Sequence, residues 1–294
     1  MLKPGSDDAL IRFIFDDKAV KGVRIHLKSA LAALNAGRAD PPEIKELLAE
    51  TAVCALMLAA SLKGGSEMML QFAGGRSAPL HYALINVRGD LSFYGSAALR
   101  SGATLKPGMS FAEMTGSEGS LTLTIFSPEG RPWQGIVDLN PSGVAASLEA
   151  YCANSAQVPT RIFTATTATG GDAAGGIMLQ ALPGESGADD LADLAVLAAS
   201  ATREELLAPT GTKLLDLLFA SARCRVFDPQ YPLWRCSCSR EGYLKALSSL
   251  PQADLDDLIS RGSAELTCRH CGRRFTFSAA ELKALGENDT HEPA

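Results

Sequence analysis

What the sequence lacks narrows the reading first. It has no basic tail and no polybasic run: 27 Lys and Arg stand against 33 Asp and Glu, a formal net charge of −6. Attraction of the whole chain to nucleic acid or to an anionic membrane is not expected. No apolar stretch approaches the roughly 20 residues of a membrane span; the longest, residues 52–62, lies inside an amphipathic pattern. The start, Met1-Leu2-Lys3-Pro4-Gly5-Ser6-Asp7-Asp8, carries neither an apolar signal core nor a small-residue cleavage site, so export is not expected and a cytoplasmic address is. No phosphate-binding glycine motif is present. Gly170-Gly171-Asp172-Ala173-Ala174-Gly175 lacks the Lys-Ser/Thr of a P-loop, does not fit G-x-G-x-x-G, and reads as a hairpin turn. Nor is there a nucleophile and base in one motif: His26, His81 and His291 stand alone, and no enzymatic activity is expected.

Cysteine is sparse but not scattered. Four of the seven cysteines fall in two pairs, Cys236-Ser237-Cys238 and Cys268-Arg269-His270-Cys271. Thiolates bound tetrahedrally to zinc lie about 2.3 Å from the metal, so neighbouring sulfurs must sit roughly 3.8 Å apart. A turn achieves this in C-x-x-C, and a locally extended chain achieves it in C-x-C. One zinc ion held by Cys236, Cys238, Cys268 and Cys271 is the expectation, with a pair of structural disulfides as the rival, disfavoured in a reducing compartment. His270 reads as a spacer. Cys54 and Cys152 read as buried apolar residues, and Cys224 lies outside both pairs. Arg235, Arg240, Arg269, Arg273 and Arg274 are expected to favour the anionic thiolates, which makes the site a target for peroxide or hypochlorous acid.

Along the chain, residues 9–27 read as two strands around Asp16-Asp17-Lys18. A core helix follows, with Asp40 as N-cap, Pro41 at the first helical position, Glu43 completing a capping-box-like pattern and Gly64 as the stop. Strand-like runs cover 68–72, 80–87, 91–94, 121–126 and 134–139, with Arg88-Gly89-Asp90 as a hairpin turn. Residues 141–153 read as a helix started by Ser142, and 161–167 with 176–182 as a further strand pair. Blocks of strands and helices without strict alternation point to an α+β class: a mixed α/β core domain over 1–182. A break at 183–187 opens a helical linker, 183–232, with thin apolar faces at 189–201, 203–207 and 212–222, then a short strand at 225–227. A small four-cysteine zinc module, 233–286, is expected to hold helices at 240–247 and 254–260 and strands at 264–267 and 273–277. A disordered tail is expected at 287–294. The module's apolar inventory is small, so the metal is its staple.

These cysteine pairs, the preceding Val226-Phe227-Asp228-Pro229, and the segments Ser155-Ala156-Gln157-Val158-Pro159-Thr160-Arg161 and Gly175-Gly176-Ile177-Met178-Leu179-Gln180 resemble the heat shock protein 33 family, the redox-regulated holdase chaperones of bacteria. The resemblance covers essentially the whole chain. It implies a cytosolic, ATP-independent chaperone, inactive when reduced and zinc-bound. It further implies that oxidation forms disulfides Cys236–Cys238 and Cys268–Cys271, releases zinc, unfolds the module and then the linker, and favours a homodimer that holds unfolding client proteins.

Two rivals remain at this point. A zinc-ribbon nucleic-acid binder is the first: residues 223–277 carry nine Lys/Arg against six Asp/Glu, a surplus that shrinks to about +1 once a four-thiolate zinc complex is counted. A thiol-disulfide oxidoreductase using Cys268 and Cys271 is the second, but no strand–C-x-x-C–helix pattern surrounds them.

Overall fold

Alternating apolar residues build the first hairpin, β1 (Ala9–Phe15) and β2 (Val20–Leu27). In β2 both faces are buried, so Arg24 and His26 are enclosed along with Val23, Ile25 and Leu27. A short helix that the sequence reading lacks, α1 (Ser29–Asn35), leads to the central helix α2 (Pro42–Ala59). The expected cap is corrected here: Pro41 occupies the cap position, Pro42 is the first helical residue, and no side chain caps the helix. A residue preceding proline is driven out of the helical region, so Pro42 fixes the boundary one residue later than expected. Asp40 instead accepts from Arg38 Nε at 2.6 Å. Gly64 lies outside the described residues, which are 7–62, 65–128, 130–167, 170–184 and 186–288 of this computed structural model.

Strands β3 (Glu67–Ala73), β4 (Leu80–Val87) and β5 (Ser92–Leu99) follow, the last two joined at the expected Arg88-Gly89-Asp90 turn, where Leu91 adopts φ 59°. Helix α3 (Phe111–Thr115), closed by a Ser110/Glu113 capping box, was not expected. Then come β6 (Ser120–Phe126), β7 (Trp133–Asp138) and α4 (Val144–Asn154). Ser142 does not cap α4: its N–H donates to Asn140 Oδ1 at 2.9 Å, and Gly143 at φ 131° takes the cap position. The pair β8 (Thr160–Thr166) and β9 (Ala174–Ala181) encloses the glycine-rich loop as a hairpin.

Helices α5 (Gly187–Ala199), α6 (Arg203–Leu207) and α7 (Lys213–Leu218) come next, then β10 (Cys224–Val226) and β11 (Leu233–Trp234). The sheets run β10-β1-β2-β9-β8 and β11-β5-β4-β3-β6-β7, with β11 parallel to β5. Helix α2 carries its charged residues in its first half and is buried on every side from Thr51 to Leu58; it packs against strands of both sheets, burying Leu48, Ala52, Val53, Leu56 and Met57 completely. A second apolar cluster joins β1, β2, β8 and β9 to α5–α7 through Leu191, Leu194, Leu206, Leu215 and Phe219. The thin-faced helices do lean on a neighbour.

Residues 1–235 form one unit and 236–294 another. The second holds α8 (Arg240–Ser248), α9 (Gln252–Ser260), an antiparallel pair of β12 (Ser263–Thr267) and β13 (Arg274–Ser278), and α10 (Ala279–Asn288). Helix α10 extends to Asn288, into the stretch expected to be a tail; residues 289–294 lie outside the described ones.

One titration follows from α2. Burial raises the Glu50 carboxyl above the usual range, against the hydroxyl of Thr164, which donates to it at 2.9 Å. An acid whose folded pKa is raised costs nothing below its unfolded value and costs most once pH exceeds the folded one. Glu50→Gln is therefore expected to raise the thermal midpoint at pH 8 and to leave it unchanged below about pH 4. A pH series of melting curves checks this.

Candidate metal centre

The chain enters the second unit extended, and Cys236 and Cys238 flank Ser237 before Ser239 caps α8 by accepting from the Gly242 N–H at 3.0 Å. The second pair sits where β12 turns into β13. Cys268 N–H donates to the Arg273 carbonyl at 2.8 Å and Gly272 N–H to the Cys268 carbonyl at 2.9 Å, a turn closed by Gly272 at φ 69°. Only a residue at ease in the left-handed region completes it.

The two pairs converge. Cys236 Sγ lies 3.6 Å from Cys268 Sγ, Cys238 Sγ lies 3.4 Å from Cys271 Sγ, and all four sulfurs fall within 4.8 Å of one another. These separations fit a tetrahedron around one zinc, whose sulfur–sulfur edges are about 3.8 Å. They are far longer than the roughly 2.05 Å of a disulfide. His270 is not part of the group. Its contribution is its backbone: the N–H groups of His270 and Cys271 point at Cys268 Sγ, as the Cys238 N–H points at Cys236 Sγ. No other group of three or more His, Cys, Asp or Glu among the described residues is arranged to hold a metal.

The electrostatics differ from the expectation. Burial pushes the Cys236 thiol up to about 11, and burial with its three sulfur neighbours pushes Cys238 well above the ordinary range. At Cys268 burial also pushes upward, but the two backbone N–H groups and the Tyr243 hydroxyl outweigh it and bring the thiol to about 7. Arginine charge is not what lowers it. Arg240 pairs with Glu281 at 2.5 Å, Arg274 with Glu265 at 3.8 Å, and Arg235 with Asp90 at 3.6 Å. Tyr243 escaped the sequence reading. It stands on α8 with its ring 4.9 Å from that of Phe275 on β13, and no local motif marks it.

The remaining candidates are dispersed. Cys54 and Cys152 are buried, with thiols raised chiefly by burial. Half-buried Cys224 opens β10, and burial takes its thiol to about 11. His26 is buried with Nδ1 2.5 Å from the Asp7 carbonyl, exposed His81 meets Arg100 at 3.3 Å, and His291 lies outside the described residues.

The family profile described as "Hsp33 protein" matches residues 8–278. The chain belongs to the Hsp33 family. The 33 kDa chaperonin of Pectobacterium carotovorum is 32% identical over 281 residues, spanning 95% of this chain and 96% of that one. The 33 kDa chaperonin of Escherichia coli is 31% identical over 284 residues, 96% of each. The crystal structure of the Hsp33 homologue from Thermotoga maritima superposes with a TM-score of 0.81 over 97% of this chain and 99% of its own, at 18% identity, and so shares the fold. A mixed α/β Hsp33 fold with a four-cysteine cluster near its C-terminal end is thus established, and no helix among the described residues is long and apolar enough to cross a membrane.

Proposed function

We propose that this chain is a cytoplasmic, ATP-independent holdase without enzymatic activity, silent when reduced and metal-bound and switched on by oxidation of its four-thiol site. The observation that carries this is the convergence of four sulfurs from two distant pairs within 4.8 Å. Cys236, Cys238, Cys268 and Cys271 would hold one Zn²⁺, which when bound keeps all four as thiolates and ties the entry of α8 to the β12–β13 turn. Two-electron oxidation of each pair, with peroxide reduced to water, forms Cys236–Cys238 and Cys268–Cys271 and removes every ligand.

Loss of the staple unfolds the module, taken as residues 233–286, and loosens the linker, 183–232. The apolar faces of α5–α7 then become available to unfolding clients, and a homodimer is favoured. Those faces are amphipathic, as holding a client in water demands. The nucleic-acid reading gains nothing: Arg240, Arg261 and Arg274 are each paired with a carboxylate, which thins any phosphate-binding footprint.

The test is light scattering from a heat-unfolded client, comparing reduced with peroxide-treated protein while zinc is followed with a chromophoric chelator. Oxidation is expected to abolish aggregation at near-equimolar protein and to release one zinc per chain. Equal activity in both states overturns the switch.

A further inference from the structure

Helix α6 is a thin element, five residues with one buried side chain, Leu206. Yet its C-terminal turn is held by an unusual partner. Arg24 of β2 is 3% exposed, and every hydrogen-bond partner of its guanidinium is a backbone carbonyl. Its Nη2 donates to Leu206 at 2.9 Å, Ala208 at 3.0 Å and Glu205 at 3.4 Å; its Nη1 donates to Ile25 and, at 3.5 Å, to Gly176. One side chain of β2 thus reaches three carbonyls of the turn, 205, 206 and 208, the last two being groups a helix leaves unmet at its end. The fit is close enough that a Cβ added at Gly175 of β9 would come within 2.0 Å of the Leu206 carbonyl oxygen.

We propose that Arg24, with His26 beside it, is an autoinhibitory latch: it fixes residues 203–208 on the sheet in the resting protein, and its release is the step at which residues 187–222 open. The physical reason is balance. Docked, the carbonyls are satisfied, but the guanidinium is buried with no counter-ion among the described residues, and burial draws its pKa down to about 10. Opened, the guanidinium regains water and the carbonyls do too. A cavity of about 280 Å³ beside the latch, lined by Arg24, His26, Pro209, Thr212, Phe227 and Tyr231, gives water a route to it. A contact of this kind is specific when closed and loses little on opening. Removing the guanidinium alone breaks the balance, because the Leu206 and Ala208 carbonyls lose their donor while the segment stays docked.

The contact itself is independent of the function proposed above; its consequence for client holding rests on that reading, and the experiment separates the two. Hydrogen exchange is measured on reduced, zinc-loaded Arg24→Met, Arg24→Lys and Gly175→Ala proteins, with zinc content and client light scattering alongside. Arg24→Met is expected to speed exchange of residues 187–222 by about a hundredfold, the loss of roughly three hydrogen bonds. Exchange in 236–288 and zinc content stay unchanged, and client holding appears without oxidant. Arg24→Lys restores part of the protection, which a general packing defect would not allow. Gly175→Ala attacks the same contact with the guanidinium in place and is expected to reproduce the effect, so an Arg24→Met chain that fails to fold does not remove the test. Unchanged exchange in the variants overturns the latch. Faster exchange without client holding keeps the latch and overturns the reading of the opened segment as the holding surface.

Discussion

On removal of metal from the reduced protein by a chelator, residues 236–288 are expected to lose their protected amides while β2–β4, β6, β8 and β9 of the first unit keep theirs. Among the described residues, the second unit's own cluster buries five, Leu247, Leu255, Ala264, Phe277 and Leu282. Its other ties are exposed: Arg240 reaches Glu281 and lies 4.5 Å from the centroid of the Phe277 ring, and Arg274 reaches Glu265. Exposed ion pairs contribute little. A structural zinc contributes about 10–16 kcal/mol, as much as the whole stability of an ordinary domain at about 5–15 kcal/mol. Far-UV circular dichroism and hydrogen exchange, with and without chelator, read the result. Cys268→Ser is expected to mimic the chelator, since serine offers no thiolate. A metal-free protein that keeps 236–288 protected would mean that the cluster is not a staple.

The second large effect is expected at Phe219→Ala. Phe219 is 1% exposed and closes a three-ring group, 5.1 Å from Phe15 and 5.9 Å from Phe13. Truncating such a ring costs about 3–5 kcal/mol when the site cannot collapse, and the two partners are held in β1. Because Phe219 follows α7 directly, the loss falls on residues 187–226. Native-state exchange should show opening of that segment eased by this amount, with β3, β4 and β6 unaffected. A uniform loss across both sheets would show instead that the segment has no separate opening.

Much of this architecture is legible in the sequence because its signals are local. The cysteine pairs announce themselves by spacing, and the convergence of 236–238 with 268–271 needs only the short α8–α9 insert between them. The Arg88–Asp90 turn and the β1–β2 alternation are of the same kind. Three helix starts carry the Ser/Thr-x-x-Glu signature, at Ser110, Thr202 and Ser278; the helix after Thr202 is read without its box, and the other two helices go unread although their boxes are formed. What spacing cannot show is a partner distant in sequence. Arg24 and His26 interrupt an apolar strand and look like its solvent face until α6, some 180 residues on, is seen to cover them. The pull on Cys268 comes from backbone N–H groups and Tyr243 rather than from the neighbouring arginines, three of which, Arg235, Arg240 and Arg274, pair with carboxylates that a one-dimensional reading leaves unassigned.

Strands β10 and β11 stand outermost in their respective sheets, and both come from one run of chain, residues 224–234. That run insulates two raw borders at once, all of β1's outer ladder from Leu10 to Phe15 and the start of β5 at Ser92 and Phe93. Peeling it away bares rows of unmet N–H and C=O groups that will template any extended polypeptide. The opening proposed above would thus expose backbone adhesive as well as apolar side chains, and main-chain pairing of that kind asks nothing of a client's sequence.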